Sequence, residues 1–231
     1  MRRRRARSRA CSTDVRALPF DPPLYLITDR RRFADPAPGA TFGADEWRAL
    51  DAAIAAGPGA VQLREKDLGG RTLCARAERL AERCRASGVK LLVNERADIA
   101  LAAGADGVHL PESGLPVAAA RALVGPGRLV GCSVHAADLL AARADADFVL
   151  FGPVYDTPAK RAFGAPQGLE RLAAVARAST VPVLAVGGIT PGRVPDVLRA
   201  GAAGVAVIGA ILDPADPGAA VAAFREALVR A

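Results

Sequence analysis

Nowhere in the 231 residues is there an apolar run long enough to cross a bilayer, which argues against a membrane-spanning helix. The arginines near the N-terminus are not followed by an apolar stretch of signal-peptide length, so neither a secretory nor a twin-arginine leader fits. The four cysteines, Cys11, Cys74, Cys84 and Cys132, form no C-x-x-C pair and no Cys/His cluster with metal-ligand spacing. A zinc module is therefore excluded, and four reduced thiols in a cytoplasmic protein are expected. Glycine (23) and proline (17) are too few for a collagen-like or low-complexity chain. No G-x-G-x-x-G fingerprint joins a first strand to a helix, which counts against a doubly wound dinucleotide fold.

What is present is 51% apolar and 24% charged, enough for one substantial core and incompatible with disorder over most of the length. The formal charge of +7 suggests a polyanionic partner until its distribution is read. Residues 1–19 hold seven arginines and one acid, a net of +6. The remaining 24 basic and 23 acidic residues leave 20–231 at +1. The tail has no aromatic interleaving and no adjoining helical repeat, so no nucleic-acid or membrane partner is expected. We expect residues 1–22 to be a disordered basic tail and 23–231 to be one domain. Homo-oligomer formation is compatible with this pattern.

From residue 24, short apolar runs alternate with helical patterns. The runs cover 24–27, 60–64, 90–94, 107–110, 129–134, 147–151, 182–186 and 204–208, most of them continuously apolar, as in strands covered on both faces. Over 71–87, Leu73, Ala77, Leu80, Ala81 and Cys84 form an apolar stripe, with Arg71, Arg76, Arg79, Arg83 and Arg85 mostly elsewhere on the wheel. Val221, Phe224 and Leu228 repeat the pattern in 217–230. Gly57, Gly104 and Gly201 recur at helix-to-strand joints, where a left-handed backbone is needed. Eight strands, each followed by a helix, predict a single (β/α)₈ barrel of the α/β class, with its active site at the C-terminal strand ends.

Polar residues at those ends are the candidates. In Val61-Gln62-Leu63-Arg64-Glu65-Lys66, alternation puts Gln62, Arg64 and Lys66 on the inner face and Val61 and Leu63 under helices. Two inward cations need either an anionic ligand, such as phosphate or pyrophosphate, or internal pairing with Glu65 or another strand's acid. Gly187-Gly188 and Gly209, after the seventh and eighth runs, can present backbone amides to a phosphate. Asn94-Glu95 either holds Mg²⁺ against a pyrophosphate or starts a helix, with Asn94 as cap. The long loop after the sixth strand carries Thr157, Lys160 and Arg161, either toward an anion or into solvent. His109 and His135 lack metal spacing and are expected to pack or hydrogen-bond.

Over roughly residues 23–230 the chain resembles the thiamine phosphate synthase and TenI-like family. The segments LYLITDR, VQLREKDL, LLVNERADIALAAGADGVHLPE, GCSVH, FVLFGPVYDTPAK, VPVLAVGGIT and GAAGVAVIGAI carry the resemblance. It implies a (β/α)₈ barrel and a transferase that joins an aminopyrimidine, carried as its methyl diphosphate, to a thiazole phosphate. Mg²⁺ would be the cofactor, with Glu95 as its ligand. By resemblance, Gln62, Arg64, Lys66, Asn94, Ser133 and Lys160 match the pyrimidine and pyrophosphate contacts. Thr157 and the backbone of Gly188 and Ile208 match the thiazole phosphate side. The sequence departs from the synthase pattern at Glu95 (usually Asp), at Gly114 (usually a metal-binding Asp), at Ala159 (usually Thr) and at Gly209 (often Ser). The related activities are a thiazole phosphate tautomerase, whose catalytic histidine is replaced here by Pro153, and a non-catalytic phosphate-binding barrel.

Overall fold

A computed structural model describes residues 17–37, 40–157 and 165–231. Eight parallel strands close into a barrel in sequence order: β1 Leu24–Ile27, β2 Ala60–Leu63, β3 Lys90–Asn94, β4 Gly107–Leu110, β5 Leu129–Val134, β6 Phe148–Phe151, β7 Val183–Val186 and β8 Gly204–Val207. The helices are α1 Ala44–Ala55, α2 Gly70–Ala86, α3 Ala97–Ala102, α4 Val117–Val124, α5 Gly168–Ala178, α6 Val194–Arg199, α7 Gly209–Leu212 and α8 Pro217–Arg230. The expected architecture is therefore the observed one. β2 and β8 end one residue earlier than expected, and β6 and β7 begin one later.

Strand alternation divides the apolar residues into two cores. Leu24, Leu26, Val61, Leu63, Leu91 and Val93 face outward into the large cluster beneath the helices. Tyr25, Ile27, Ala60, Leu92, Phe148, Leu150, Leu184 and Ala206 fill the barrel interior. Phe148 meets Tyr25 edge-on at 5.4 Å between ring centroids. A side chain at Gly131 would overlap the Phe148 ring and lie 2.8 Å from His109 Nδ1, so the absent Cβ makes room for both rings.

Two expectations need correction. The boundary after residue 22 leaves Leu18 and Phe20 in the tail, yet both pack into the barrel interior. Phe20 contacts Phe148 at 5.4 Å and Tyr25 at 5.7 Å, closing the N-terminal end of the barrel. Nor does every strand lead into an α-helix. After β5 come two 3₁₀ turns, Ala137–Leu139 and Ala141–Arg143. Burial falls on Leu140, Arg143 and Ala146, a three-residue period that matches a 3₁₀ path better than a 3.6-residue one.

α2 buries the expected stripe and also Arg76. Arg76 donates through Nη1 and Nη2 to the two carboxylate oxygens of Glu46 in α1, each at 2.7 Å, with both side chains almost fully buried. Gly57, Gly104 and Gly201 have φ of 75°, 64° and 95°, as their place after helices requires.

Candidate active site

The inner face of β2 places Gln62 inside the barrel, where its Nε2 donates to Tyr25 Oη at 3.1 Å. One residue past the strand, the Arg64 amide donates to Thr28 Oγ1 at 3.0 Å, which ties the end of β2 to the end of β1. Glu65 is buried and turned the other way. It accepts from Thr28 Oγ1 at 2.6 Å and from the Arg30 amide at 3.0 Å, and burial pushes its carboxyl up from the usual range. Glu65 therefore neutralises neither neighbouring cation. The half-buried Arg64 has no carboxylate partner among the described residues. Lys66 Nζ lies 3.6 Å from Glu95 Oε2, with side chains 50% and 42% exposed, a loose pair at the rim.

Glu95 is held in an unusual conformation. Its φ of 63° makes it the one non-glycine residue with positive φ among those described. Its amide donates to the His109 carbonyl at 2.9 Å, and its Oε2 accepts from Asn94 Nδ2 at 3.0 Å. The helix-start alternative fails: α3 begins at Ala97, with Arg96 as the flanking residue and no side-chain cap from Asn94. Asp98 is bound by Arg96 at 2.9 and 2.6 Å instead of joining Glu95.

At the end of β4, His109 lies inside the barrel with its Nε2 sharing a hydrogen bond with Ser133 Oγ at 3.0 Å. Its Nδ1 has no partner among the described residues. Burial, aided by the charge of Arg64, lowers its pKa to about 3, so the ring is neutral at working pH. After β4, the Gly114 amide closes a turn onto the Pro111 carbonyl at 2.9 Å, and a Cβ at Gly114 would lie 2.9 Å from Pro111 Cδ. Glu112 faces His135, accepting from its amide at 2.9 Å and from its Nδ1 at 2.6 Å. Among the described residues no three His, Cys, Asp or Glu side chains gather as a metal site. The protein side chains alone therefore offer no complete ligand shell there, and a Mg²⁺ ion resting on Glu95 would need oxygens from elsewhere.

The β7 and β8 ends form a second cluster. Gly187 and Gly188 have φ of 98° and 64° and lie against the segment after β6. A Cβ would lie 2.6 Å from Pro153 Cα at Gly187 and 2.8 Å from Tyr155 Cβ at Gly188. Ile208 flanks the start of α7, leaving the amides of Gly209 and Ala210 without intrahelical partners. Gly209 is roofed by the ion pair of Arg32 with Asp213, so a side chain there would strike Arg32 Nη1 at 2.6 Å. Thr157 is half-buried at the end of the described part of the β6–α5 loop. Lys160 and Arg161 lie outside the described residues.

Sequence reading missed Thr28 and Tyr25 as partners of the β2 end, and Arg193 beside the glycine turn. Thr28 carried a signal, as the polar residue directly after a strand. Arg193 carried none.

A profile of the family described as thiamine monophosphate synthase matches residues 24–211. The chain is 49% identical over 196 residues to a putative thiamine-phosphate synthase of Geobacter sulfurreducens, covering 84% of this chain and 88% of that one. It is 42% identical over 206 residues to a thiamine-phosphate synthase of Roseiflexus castenholzii, covering 87% and 86%. Its fold is similar to the solved thiamine phosphate pyrophosphorylase of Pyrococcus furiosus, with a TM-score of 0.77 and 28% identity over 90% of this chain and 95% of that one.

Proposed function

The chain belongs to the thiamine monophosphate synthase family, and from that membership we propose that it joins an aminopyrimidine methyl diphosphate to a thiazole phosphate, releasing pyrophosphate. The bond between the methylene carbon and the diphosphate oxygen breaks, and its electron pair leaves with pyrophosphate. The lone pair of the thiazole ring nitrogen then forms the new carbon–nitrogen bond, giving thiamine phosphate.

The observation that carries this reading is the pair of cations at the end of β2 whose neighbouring acid is engaged elsewhere. With Glu65 held by Thr28 and Arg30, Arg64 keeps its charge free of a carboxylate among the described residues, and Lys66 is paired only loosely, with Glu95 at 3.6 Å. Charge develops on the departing pyrophosphate, and fixed cations stabilise it more in the transition state than in the ground state. By the family resemblance, Lys160 would add its charge to theirs. Gln62 and Asn94 orient the pyrimidine, and Ser133 contacts it with a hydroxyl set by neutral His109. Thr157, Gly187, Gly188, Ile208 and Gly209 receive the thiazole phosphate through a hydroxyl and backbone amides. Mg²⁺, held by Glu95 when bound, supplies further charge neutralisation on the diphosphate.

The partners are two small phosphorylated molecules. Among the described residues no helix is long and apolar enough to cross a membrane. The cytoplasm is the setting proposed for the reaction.

Purified protein with both substrates and Mg²⁺ should release pyrophosphate and thiamine phosphate in equal amounts. Binding of thiazole phosphate without turnover would overturn the synthase reading, and metal-free isomerisation of a carboxylated thiazole phosphate would replace it with the tautomerase. Lys66→Ala should slow the chemical step by about 10²–10³ while leaving thiazole phosphate binding unchanged. Equal activity in Lys66→Ala and wild type would mean that the diphosphate lies elsewhere.

A further inference from the structure

The diglycine turn after β7 is shaped from outside by one side chain. A 3₁₀ turn, Pro191–Arg193, follows it, and Arg193 reaches back so that Nη1 donates to the Gly188 carbonyl at 2.6 Å. The same guanidinium lies 4.4 Å from the centroid of the Tyr155 ring. Tyr155 in turn donates its amide to the Gly187 carbonyl at 3.1 Å. Both carbonyls of the turn are therefore engaged, one by Tyr155 and the other by Arg193.

A trans peptide is planar, with its carbonyl and amide on opposite sides. Fixing the Gly187 carbonyl aims the Gly188 N–H away from Tyr155, and fixing the Gly188 carbonyl aims the Ile189 N–H away from Arg193. Successive amides held this way make a concavity for an anion. Arg193 has no carboxylate partner among the described residues, so its guanidinium is left to the Gly188 carbonyl and the Tyr155 ring.

We propose that Arg193 is a positioning residue for the thiazole phosphate, locking the Gly187-Gly188 turn in its anion-receiving form and fastening it through Tyr155 to the root of the β6–α5 loop. This rests on the synthase reading above, which places the thiazole phosphate at that turn. Arg193 acts through the backbone it holds. The Tyr155 ring acts by holding the guanidinium plane, an attraction to the π face that an aliphatic side chain lacks.

The test is calorimetric titration of thiazole phosphate into wild type, Arg193→Ala, Arg193→Lys, Tyr155→Leu and Tyr155→Phe, with steady-state kinetics and melting curves for each. Arg193→Ala should raise both Kd and KM for thiazole phosphate about tenfold, the scale of a lost charged hydrogen bond. The KM for the diphosphate substrate and kcat at saturation should not change. Arg193→Lys should recover part of the affinity, because an ammonium can still donate to the carbonyl. Tyr155→Phe should bind more tightly than Tyr155→Leu. An unchanged Kd in Arg193→Ala overturns the proposal, as does equal weakening of both substrates together with a lowered Tm. Wild-type protein that fails to bind thiazole phosphate overturns the synthase reading, and this inference with it.

Discussion

Glu95 combines a strained backbone with the position proposed to hold Mg²⁺. A non-glycine residue at positive φ costs about 1–2 kcal/mol, and such residues persist where surrounding structure holds them. Here the His109 carbonyl, Asn94 and Lys66 do the holding. Glu95→Gly should therefore hold or raise Tm while turnover falls and the Mg²⁺ concentration for half-maximal rate rises. A parallel fall in Tm and activity would count against a metal role.

His109 couples the barrel interior to pH. Its pKa falls from 6.5 to about 3 in the fold. Between those values the unfolded chain binds a proton that the folded chain rejects, so stability declines as pH drops below 6.5, by up to about 1.4 kcal/mol per pH unit. Glu65 has the opposite sign: its raised pKa makes its contribution weaken as pH rises through that value. Urea midpoints at pH 4.5 and 7 should differ less in His109→Gln than in wild type. The pH–rate profile should carry no limb from His109 near neutrality.

Between elements, α1 and α2 are joined by the buried ion pair of Glu46 with Arg76, and nearer solvent by that of Asp51 with Arg83. The Arg76 guanidinium lies 4.3 Å from the Phe42 ring centroid, and Arg79 lies 3.7 Å from that of Trp47, so two cations are stacked on aromatic faces at this seam. Glu46→Gln would leave the Arg76 charge unbalanced and should cost about 3–5 kcal/mol, read as a lower urea midpoint. The cost should fall on stability first, because Glu46 touches none of the residues proposed to bind substrate. A wheel drawn from the sequence puts arginines on the solvent side, and for Arg71, Arg79 and Arg85 that is correct. It fails for Arg76 because the partner that makes burial tolerable lies thirty residues away on another helix.

For the whole molecule, the barrel is stoppered at its N-terminal end by Phe20 and open to chemistry at the other. Phe20→Ala removes the ring that covers Tyr25 and Phe148 and should cost about 3 kcal/mol by chemical denaturation. Deleting residues 1–16, which carry most of the net charge, should leave kcat/KM unchanged. Together these separate the basic segment from the plug that follows it. The +1 charge of residues 20–231 says nothing about where Arg64 and Lys66 stand, at the C-terminal end of β2.

The sequence by itself determined the eight strands and their order, and it singled out the strand ends proposed to bear chemistry. Short continuously apolar runs and helix stripes are local properties, and a chain of alternating β and α units has few ways to close. Gln62 and the glycine turn were legible for the same reason, since alternation and glycine chemistry act over a few residues. Only the tertiary structure decided where charges found partners. Glu65 binds Thr28 and Arg30 instead of its cationic neighbours, Glu112 binds His135, and Arg193 binds the Gly188 carbonyl. Except at Arg193, which reaches back only five residues, these pairings join segments 23 to 37 residues apart. A hydrogen bond depends on ångström distances that closing the barrel creates, and no local pattern encodes them.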